Sequence, residues 1–490
     1  MTSKESVVSG VRWTSVSTMG RRVLALLANI VFARLLDPAD FGLVAMAGVV
    51  LGFIDIFKDL GTGTALVRQK ELDDSLPSSV FWLNLGFGTL ITLLVMALSP
   101  VIATFYKEPR VQPVVMAMAL SFVLSSLAIV HTSMLARQMR FVQLAKVELA
   151  AAVLSYVVGI GAALMGQGVW SLVWQVLANS ALTTLFVWTI GSWRPRLLFV
   201  WAEVKGIMGY SLNLSGYNIF YYFAQNVDNL LIGRFLGTEA LGLYDMAYKL
   251  MVFPMQAISA VFGRVMTPLY AQAQNDLPRF RQVFLRVAVA IAFVTFPLMF
   301  GLVAAREAFV LTVFGPSWAP VITLLALFAP LAAIRSVLTT TGSIYVAMGR
   351  ADLQLRWGVL SNMIVFAGLA IGLRWGIVGV ASGFAVTTLL LLYHNFTIPF
   401  RLVGLRLADL VRVLRPTALC TALMCLCTWP LGLLSPAWLG HAGVLALQVG
   451  AGVVSYILFT CLFNRAMLGE FLSGVGLPVP AAVGQLIKSR

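Results

Sequence analysis

The chain contains fourteen predominantly apolar stretches that are each long enough to cross a bilayer as a helix. A bilayer core about 30 Å thick requires about 20 helical residues. The stretches lie near 11–36, 41–62, 79–104, 112–135, 145–166, 168–192, 206–236, 241–263, 284–305, 318–343, 357–374, 376–399, 416–434 and 441–463. This pattern predicts an all-α polytopic membrane protein with about fourteen transmembrane helices.

The composition excludes the main soluble classes. Of the 490 residues 60% are apolar and only 11% are charged, whereas a soluble domain has about 25% charged residues. The charged residues are too few to cover the surface of a soluble protein of this length. A soluble enzyme, a secreted disulfide scaffold and a disordered chain are therefore excluded. The polar start MTSKESVVSG, followed by a long apolar run, also argues against a cleavable signal peptide.

The positive charges alternate from loop to loop. With the N-terminus inside, the inner segments hold 22 Lys and Arg residues and the outer segments hold 5. Lys and Arg accumulate in cytoplasmic loops because they resist translocation. The distribution predicts two cytoplasmic termini and an even number of helices. It also accounts for the net charge of +15 without a nucleic-acid partner.

An internal repeat is visible at an offset of about 200 residues. ARLLDPADFGL at 33–43 matches GRFLGTEALGL at 233–243, which aligns Gly42 with Gly242. GVWSLV at 168–173 corresponds to GIVGVA at 376–381. Chance similarity between Gly- and Leu-rich helices is the alternative explanation.

The repeat predicts two pseudo-symmetric six-helix lobes at 1–200 and 201–405, with two further C-terminal helices in 406–490. Both lobes would begin on the cytoplasmic side, which makes the repeat a parallel one. Transporters built in this way bind their substrate between the halves, near the bilayer midplane. We therefore expect a transporter with a central polar cavity.

Three segments resemble a known family: FARLLDPADFGLVAMA at 32–47, DLGTGTALVRQ at 59–69 and NVDNLLIGRFLGTEALGLYDMAYKL at 226–250. They are similar to the Wzx-type polysaccharide flippases of the multidrug/oligosaccharidyl-lipid/polysaccharide superfamily, in the branch of the colanic acid exporters. The resemblance implies a flippase of the bacterial inner membrane. Such a protein moves an undecaprenyl-diphosphate-linked oligosaccharide from the inner to the outer leaflet for surface polysaccharide assembly, by alternating access and without ATP. Its partners would be this lipid-linked oligosaccharide, membrane lipids and the polysaccharide polymerase machinery, and we expect a monomer.

Catalytic motifs are missing from the sequence. It contains no G-x-x-x-x-G-K-[ST], no H-E-x-x-H and no G-x-S-x-G, which are the motifs of phosphate loops, zinc proteases and α/β-hydrolases. The four cysteines and three histidines form no metal-ligand pattern. We expect a protein that is not an enzyme and has neither a cofactor nor a metal. A drug exporter of the same superfamily, or a membrane-embedded polymerase or glycosyltransferase, remains as an alternative.

Charged residues inside the predicted spans are candidates for substrate contact, because a charge at a helix centre costs about 2.5–3.5 kcal/mol on insertion scales. Two explanations stay open in the first two spans. One is an ion pair between Arg22 and Asp55, which lie at the same depth. The other is a cationic site for the substrate diphosphate, to which Arg is geometrically suited. The candidates for diphosphate binding are Arg21, Arg22, Lys58 and, in the tenth span, Arg335.

The seventh span is the most polar of the chain. Its amide and tyrosine side chains recur on one strip, a pattern that suits sugar hydroxyls and the apolar faces of sugar rings. Hydrogen bonding between helices is the alternative, since it is common for Asn and Gln in membranes. The glycan candidates are Asn218, Tyr221, Tyr222, Gln225 and Asn229.

Five further residues would balance charge or couple transport to an ion gradient. They are Asp55, Asp59, Asp228, Asp245 and Lys249. Depth counting across the turn between spans seven and eight places Asp228 level with Lys249. A buried pair of these two is the structural explanation, and coupling to a proton or cation is the functional one.

Overall fold

The computed structural model describes the backbone of residues 4–58, 62–69, 75–273, 276–435, 437–465 and 467–469. Only the backbone is described for 4–16, 57–58, 64–65, 68, 203, 206–221, 256–273 and 437. Within the described part, all regular structure is helical. The helices are α1 (Lys4–Leu35), α2 (Pro38–Lys58), α3 (Thr62–Arg68), α4 (Ser75–Tyr106), α5 (Val111–Arg137), α6 (Phe141–Leu164), α7 (Trp170–Ile190), α8 (Trp201–Ala273), α9 (Leu277–Ala304), α10 (Arg306–Val313), α11 (Val321–Leu338), α12 (Thr341–Ala347), α13 (Ala351–Gly372), α14 (Gly376–Val403), α15 (Leu407–Leu434) and α16 (Gly440–Phe463).

Every predicted span overlaps one of the long helices, and α8 holds two spans. Ten stretches of the described chain are long and apolar enough to cross a membrane, and one of them, Ala351–Val403, contains both α13 and α14. The predicted all-α membrane fold is confirmed. The short helices α3, α10 and α12 were not predicted, because they have only seven or eight residues and too few turns to show a hydropathy pattern.

The long helix α8 is interrupted at Gly237. This glycine has φ of 88° and ψ of −173°, a conformation that an L side chain disfavours. It lies between the predicted seventh and eighth spans. The two predicted spans are thus the two halves of α8, joined by one non-helical residue.

The described chain divides into two compact units, of which the first ends at Asp245 and the second begins at Met246. In the first unit α1 packs on α6, α2 on α5, and α5 also on α4 and α7. In the second unit α9 contacts α11 and α15. The predicted lobe boundaries at 200 and 405 follow the sequence repeat, and they stay a prediction.

The repeated motif forms a reciprocal contact within the first unit. A Cβ atom placed on Gly42 would lie 1.8 Å from the carbonyl oxygen of Thr238, and one placed on Gly242 would lie 1.8 Å from the carbonyl oxygen of Pro38. Each repeat therefore presents its glycine to the other at an offset of 200 residues. Only glycine permits backbones to approach this closely.

Small residues also join α13 to α14. Gly368 and Gly372 on α13 face Gly383 and Gly379 on α14, and a Cβ atom on any of the four would lie within 3.0 Å of the opposite helix. Both helices thus contain a G-x-x-x-G motif. Such motifs replace the hydrophobic effect as the basis of helix association in lipid, since they allow close van der Waals contact.

The two C-terminal helices dock on α9. The Tyr456 hydroxyl on α16 donates a hydrogen bond to the Phe293 carbonyl oxygen at 2.8 Å. The Gln448 amide, also on α16, donates to the Ala304 carbonyl oxygen at 3.2 Å. Polar side chains therefore attach α16 to α9, and α15 packs directly on α9.

The reciprocal glycine contact leads to a stability prediction. We expect Gly42→Ala to lower the free energy of unfolding by about 1–3 kcal/mol, the usual cost of overpacking, because the new methyl group collides with the Thr238 carbonyl. Gly48→Ala is the matched control on the same helix, since a Cβ atom there meets nothing within 4 Å. Unfolding of the purified protein in detergent measures both variants. Equal stability of the two would contradict the contact.

Candidate functional site

Arg21 lies in the middle of α1 and pairs with a carboxylate on α6. Its Nη2 is 3.1 Å from Oε2 of Glu148, and the two side chains are 40% and 38% exposed. The Nε of Arg21 is buried and has no hydrogen-bond partner among the described residues. The Ser17 hydroxyl, one turn earlier, donates to the Ala145 carbonyl at 3.3 Å and holds α1 against α6. Glu148 thus balances part of the charge of Arg21.

Sequence reasoning missed Glu148. The residue falls inside the predicted fifth span, 145–166, so an in-span charge was present as a signal. Counting residues from a turn relates the depths of neighbouring spans only, however, and α1 and α6 are distant in sequence. Partner choice between distant helices depends on packing that hydropathy does not encode.

Arg22, the next residue of α1, is half-buried. It forms no ion pair or hydrogen bond with any residue that the structure describes, so the predicted pair with Asp55 is not formed. Asp55 has an interaction of its own. Two other candidates, the Lys58 side chain and Asp59, lie outside the described residues.

The glycan strip is described in part. Gln225 is exposed and Asn229 is half-buried, whereas the side chains of Asn218 and Tyr221 lie outside the described residues. The Tyr222 hydroxyl donates to the Val49 carbonyl oxygen at 2.7 Å. This bond joins α8 to α2.

The Tyr222 side chain packs against Gly52 on α2, which has no side chain to occupy the space. A Cβ atom on Gly52 would lie 2.5 Å from the Tyr222 hydroxyl. Phe53 and Phe223 extend the contact, with ring centroids 4.9 Å apart. The hydroxyl of Tyr222 therefore serves helix packing, and only its ring is left for a sugar.

Asp228 is the buried carboxylate of α8. It is 6% exposed, and it accepts hydrogen bonds from the Tyr244 hydroxyl at 3.0 Å and from the Asn229 backbone N–H at 2.9 Å. Tyr244 belongs to the second half of α8 and is fully buried. The bond therefore spans the break at Gly237 and joins the two halves of the helix.

The sequence did not predict Tyr244 as the partner of Asp228. The predicted spans 206–236 and 241–263 implied a longer turn between the two helices than the single non-helical residue Gly237. Across the break at Gly237, Tyr244 lies within hydrogen-bond distance of Asp228. Asp245 is half-buried and Lys249 is exposed, and each has an interaction of its own. The proposed pairing of Asp228 with Lys249 stays a prediction.

Arg335 on α11 is a cation in an aromatic environment. Its guanidinium carbon is 5.2 Å from the ring centroid of Phe384. Phe328 and Tyr248 surround the same ring, with centroids 6.0 and 6.4 Å from it. Nη1 of Arg335 is buried and has no hydrogen-bond partner among the described residues, and no described carboxylate pairs with the guanidinium. An Arg stacked on a ring retains its N–H groups for an anion.

Metal ligation has no support in the described residues. Among them, no group of three or more His, Cys, Asp or Glu side chains is placed to hold a metal ion. The four cysteines are free.

Comparison with known proteins supports one family. Residues 31–323, more than half of the chain, match the family described as "Polysaccharide biosynthesis protein". The teichuronic acid biosynthesis protein TuaB of Bacillus subtilis (strain 168) is 29% identical over 370 residues, which cover 75% of this chain and 76% of that protein. The lipopolysaccharide biosynthesis protein WzxC of Escherichia coli (strain K12) is 26% identical over 393 residues, 80% of each chain. The succinoglycan biosynthesis transport protein ExoT of Rhizobium meliloti (strain 1021) is 29% identical over 398 residues, 76% of this chain and 80% of that protein.

Solved structures share the fold. The lipid II flippase MurJ in an inward closed conformation superimposes with a TM-score of 0.72 at 13% identity, over 93% of this chain and 99% of that chain. An inward-facing multidrug resistance MATE family transporter of the MOP superfamily gives a TM-score of 0.62 at 15% identity, over 80% and 96% of the two chains. The resemblance seen in the sequence is confirmed. The chain is a multi-pass membrane protein that belongs to the polysaccharide biosynthesis protein family.

Proposed function

We propose that the protein is a flippase that moves an undecaprenyl-diphosphate-linked oligosaccharide from the inner to the outer leaflet of the cytoplasmic membrane, for assembly of a surface polysaccharide. Family membership and the names of the relatives support the polysaccharide part of this proposal. The fold shared with a lipid II flippase is consistent with a lipid-linked substrate. The protein works by alternating access, without ATP and without covalent chemistry.

The observation that carries the proposal is a pair of arginines within predicted spans that have no carboxylate partners in the described part of the chain. Arg22 lies on α1 in the first unit, and Arg335 lies on α11 in the second. A cation at membrane depth is costly unless an anion or water compensates it. Because the substrate carries a diphosphate, it supplies the missing anion when it binds.

Arg21 adds to the same function in a different way. Its pair with Glu148 leaves Nε without a described partner, so the guanidinium retains a donor for a phosphate oxygen. Arg–phosphate bonds are charge-assisted and frequently bidentate. Arg21, Arg22 and Lys58 are the proposed diphosphate ligands of the first unit, and Arg335 is that of the second.

The seventh-span candidates contact the sugar. Gln225 is exposed, and its amide is of a type that hydrogen-bonds sugar hydroxyls. It acts together with Asn218, Tyr221, Asn229 and the ring of Tyr222.

The remaining candidates balance charge or couple transport to a cation gradient. They are Asp55, Asp59, Asp228, Asp245 and Lys249. Both termini lie in the cytoplasm, and the protein acts as a monomer beside the polymerase machinery.

A drug exporter is the second candidate, because a multidrug transporter has the same fold. Cationic drugs need carboxylates rather than unpaired arginines, and Arg22 and Arg335 lack carboxylate partners among the described residues. The substrate of a purified, reconstituted protein distinguishes the two functions.

The diphosphate site predicts a transport defect. We expect Arg22→Ala to reduce export of lipid-linked oligosaccharide at least about tenfold, since a charge-assisted hydrogen bond contributes about 1.5–3 kcal/mol. Surface polysaccharide and the accumulated lipid-linked intermediate are measured in a strain that lacks the chromosomal gene. Met19→Ala, an exposed apolar position on the same helix, is the matched control. Normal export by an Arg21→Ala/Arg22→Ala variant at normal abundance would remove the diphosphate site.

Alternating access predicts that the glycine contact opens and closes. Thr238 is 8% exposed at this contact, whereas its neighbour Glu239 is exposed. In a background without the four native cysteines, we expect Thr238→Cys to react with an impermeant maleimide from outside slowly, and at a rate that changes with substrate. Glu239→Cys should react at once. Rapid labelling of Thr238→Cys that is independent of substrate would contradict a gate at this contact.

The buried Asp228 predicts a stability effect. We expect Tyr244→Phe to lower the free energy of unfolding by about 1–3 kcal/mol, because a buried acceptor loses a donor. Tyr393→Phe, at an exposed ring, serves as the control in the same unfolding experiment. Normal stability combined with lost transport in Tyr244→Phe would instead assign Asp228 and Tyr244 to ion coupling.

A further inference from the structure

The first unit contains a cavity of about 560 Å³ between α3, α5 and α7. Its volume falls within the range of about 300–1,000 Å³ that is common for small-molecule sites. Six polar side chains line it: Ser125, Thr132, Ser133, Asn179, Ser180 and Thr183. None of these residues was a candidate in the sequence, where each is a small polar residue within an apolar span.

Five of the six polar side chains have unused hydrogen-bonding capacity. Only Ser125 is engaged, donating to the Ser121 carbonyl at 2.6 Å. The other five form no hydrogen bond with any described residue. A neighbour outside the cavity wall behaves differently, since the Thr184 hydroxyl donates to the Leu124 carbonyl at 2.6 Å. Five polar side chains of the cavity wall thus have no described partner, whereas the neighbouring Thr184 has one.

The cavity extends from the middle of α7 to the last turn of α5. Both α5 and α7 are long and apolar enough to cross the membrane, and Asn179 lies near the middle of α7. Within hydrocarbon, a polar group without a partner costs several kcal/mol. Ser133 is only 7% exposed, and it belongs to the cavity lining. These groups thus require water or a polar ligand inside the cavity.

The lining selects a neutral ligand with many hydroxyl groups. No charged side chain lines the cavity among the residues described. Arg137, at the end of α5, uses its guanidinium to donate to the carbonyl oxygens of Leu66 and Gln69. A diphosphate would find no counter-charge here, and an isoprenoid chain would leave the hydroxyls and the amide unpaired. A sugar ring supplies both donors and acceptors to such a wall.

We propose that this cavity binds a neutral sugar residue of the lipid-linked oligosaccharide, an inference that rests on the proposed function. The cavity lining contains none of the arginines that meet the diphosphate. Asn179 and Thr183 on α7 and Thr132 and Ser133 on α5 would hold one sugar residue, the seventh-span residues would contact other sugars of the chain, and Arg22 would hold the charged end of the same substrate.

The test measures binding of two probes to the purified full-length protein. One probe is the oligosaccharide released by mild acid from the host's lipid-linked pool, and the other is inorganic pyrophosphate. We expect Asn179→Leu/Thr183→Val to bind the oligosaccharide about tenfold more weakly, the effect of losing two or more neutral hydrogen bonds, and pyrophosphate equally well. Thr184→Val, the adjacent threonine that is not part of the wall, should bind both probes as the wild type does.

A second measurement does not depend on the fold of the double variant. Ser180→Cys should react with N-ethylmaleimide, and the oligosaccharide should protect it while pyrophosphate should not. Unchanged oligosaccharide affinity in the double variant would overturn the sugar site, and so would protection of the cysteine by neither probe. Either result would do so even if the wild-type protein restores polysaccharide export in a deletion strain. Failure of the wild type to restore export in a deletion strain would instead overturn the proposed function, and the sugar site with it.

Discussion

The structure depends on the inability of hydrocarbon to form hydrogen bonds. Each backbone N–H and C=O inside the bilayer must be paired within its own segment, and the long helices meet this condition. The same constraint acts on side chains. Many Ser and Thr residues in the described helices donate to a carbonyl of the preceding turn, as Thr92 does to Gly88 and Thr295 to Ile291. Polar groups that line a cavity and lack such a bond therefore face water or a ligand.

Helix association in lipid requires an interaction other than the hydrophobic effect, because moving an apolar side chain from lipid into a helix contact releases little free energy. Glycine provides it here. The Gly42 and Gly242 contacts join the two copies of the repeat motif, and the paired glycines of α13 and α14 do the same for two helices of the second unit. Close backbone approach gives contacts that are strong when formed and easily lost when a helix tilts. This property suits the contact between the two repeat motifs, which we propose to open during transport.

Some charged residues of the predicted spans have partners in the described chain, and others are exceptions without a partner of opposite charge. Arg21 is partly balanced by Glu148, and Asp228 is held by Tyr244 and a backbone N–H. Arg22 and Arg335 have no such carboxylate among the described residues. A structural role would have favoured pairing throughout, since an unpaired charge away from water is strongly destabilising. Together with the uncharged cavity in the first unit, these exceptions support our proposal that the charged and neutral parts of one substrate bind at different places.

The sequence by itself determined the approximate positions of the spans, the repeat and the location of the in-span charges, because helix length and hydropathy depend only on local residues. It predicted the Gly42–Gly242 equivalence, and the shared motif was sufficient for that. Only the tertiary structure decided that Glu148 pairs with Arg21, that Tyr244 donates to Asp228, and that the polar residues of α5 and α7 face one cavity. Helical periodicity defines which residues share a face, but the neighbour of that face depends on how helices from distant parts of the chain rotate and pack.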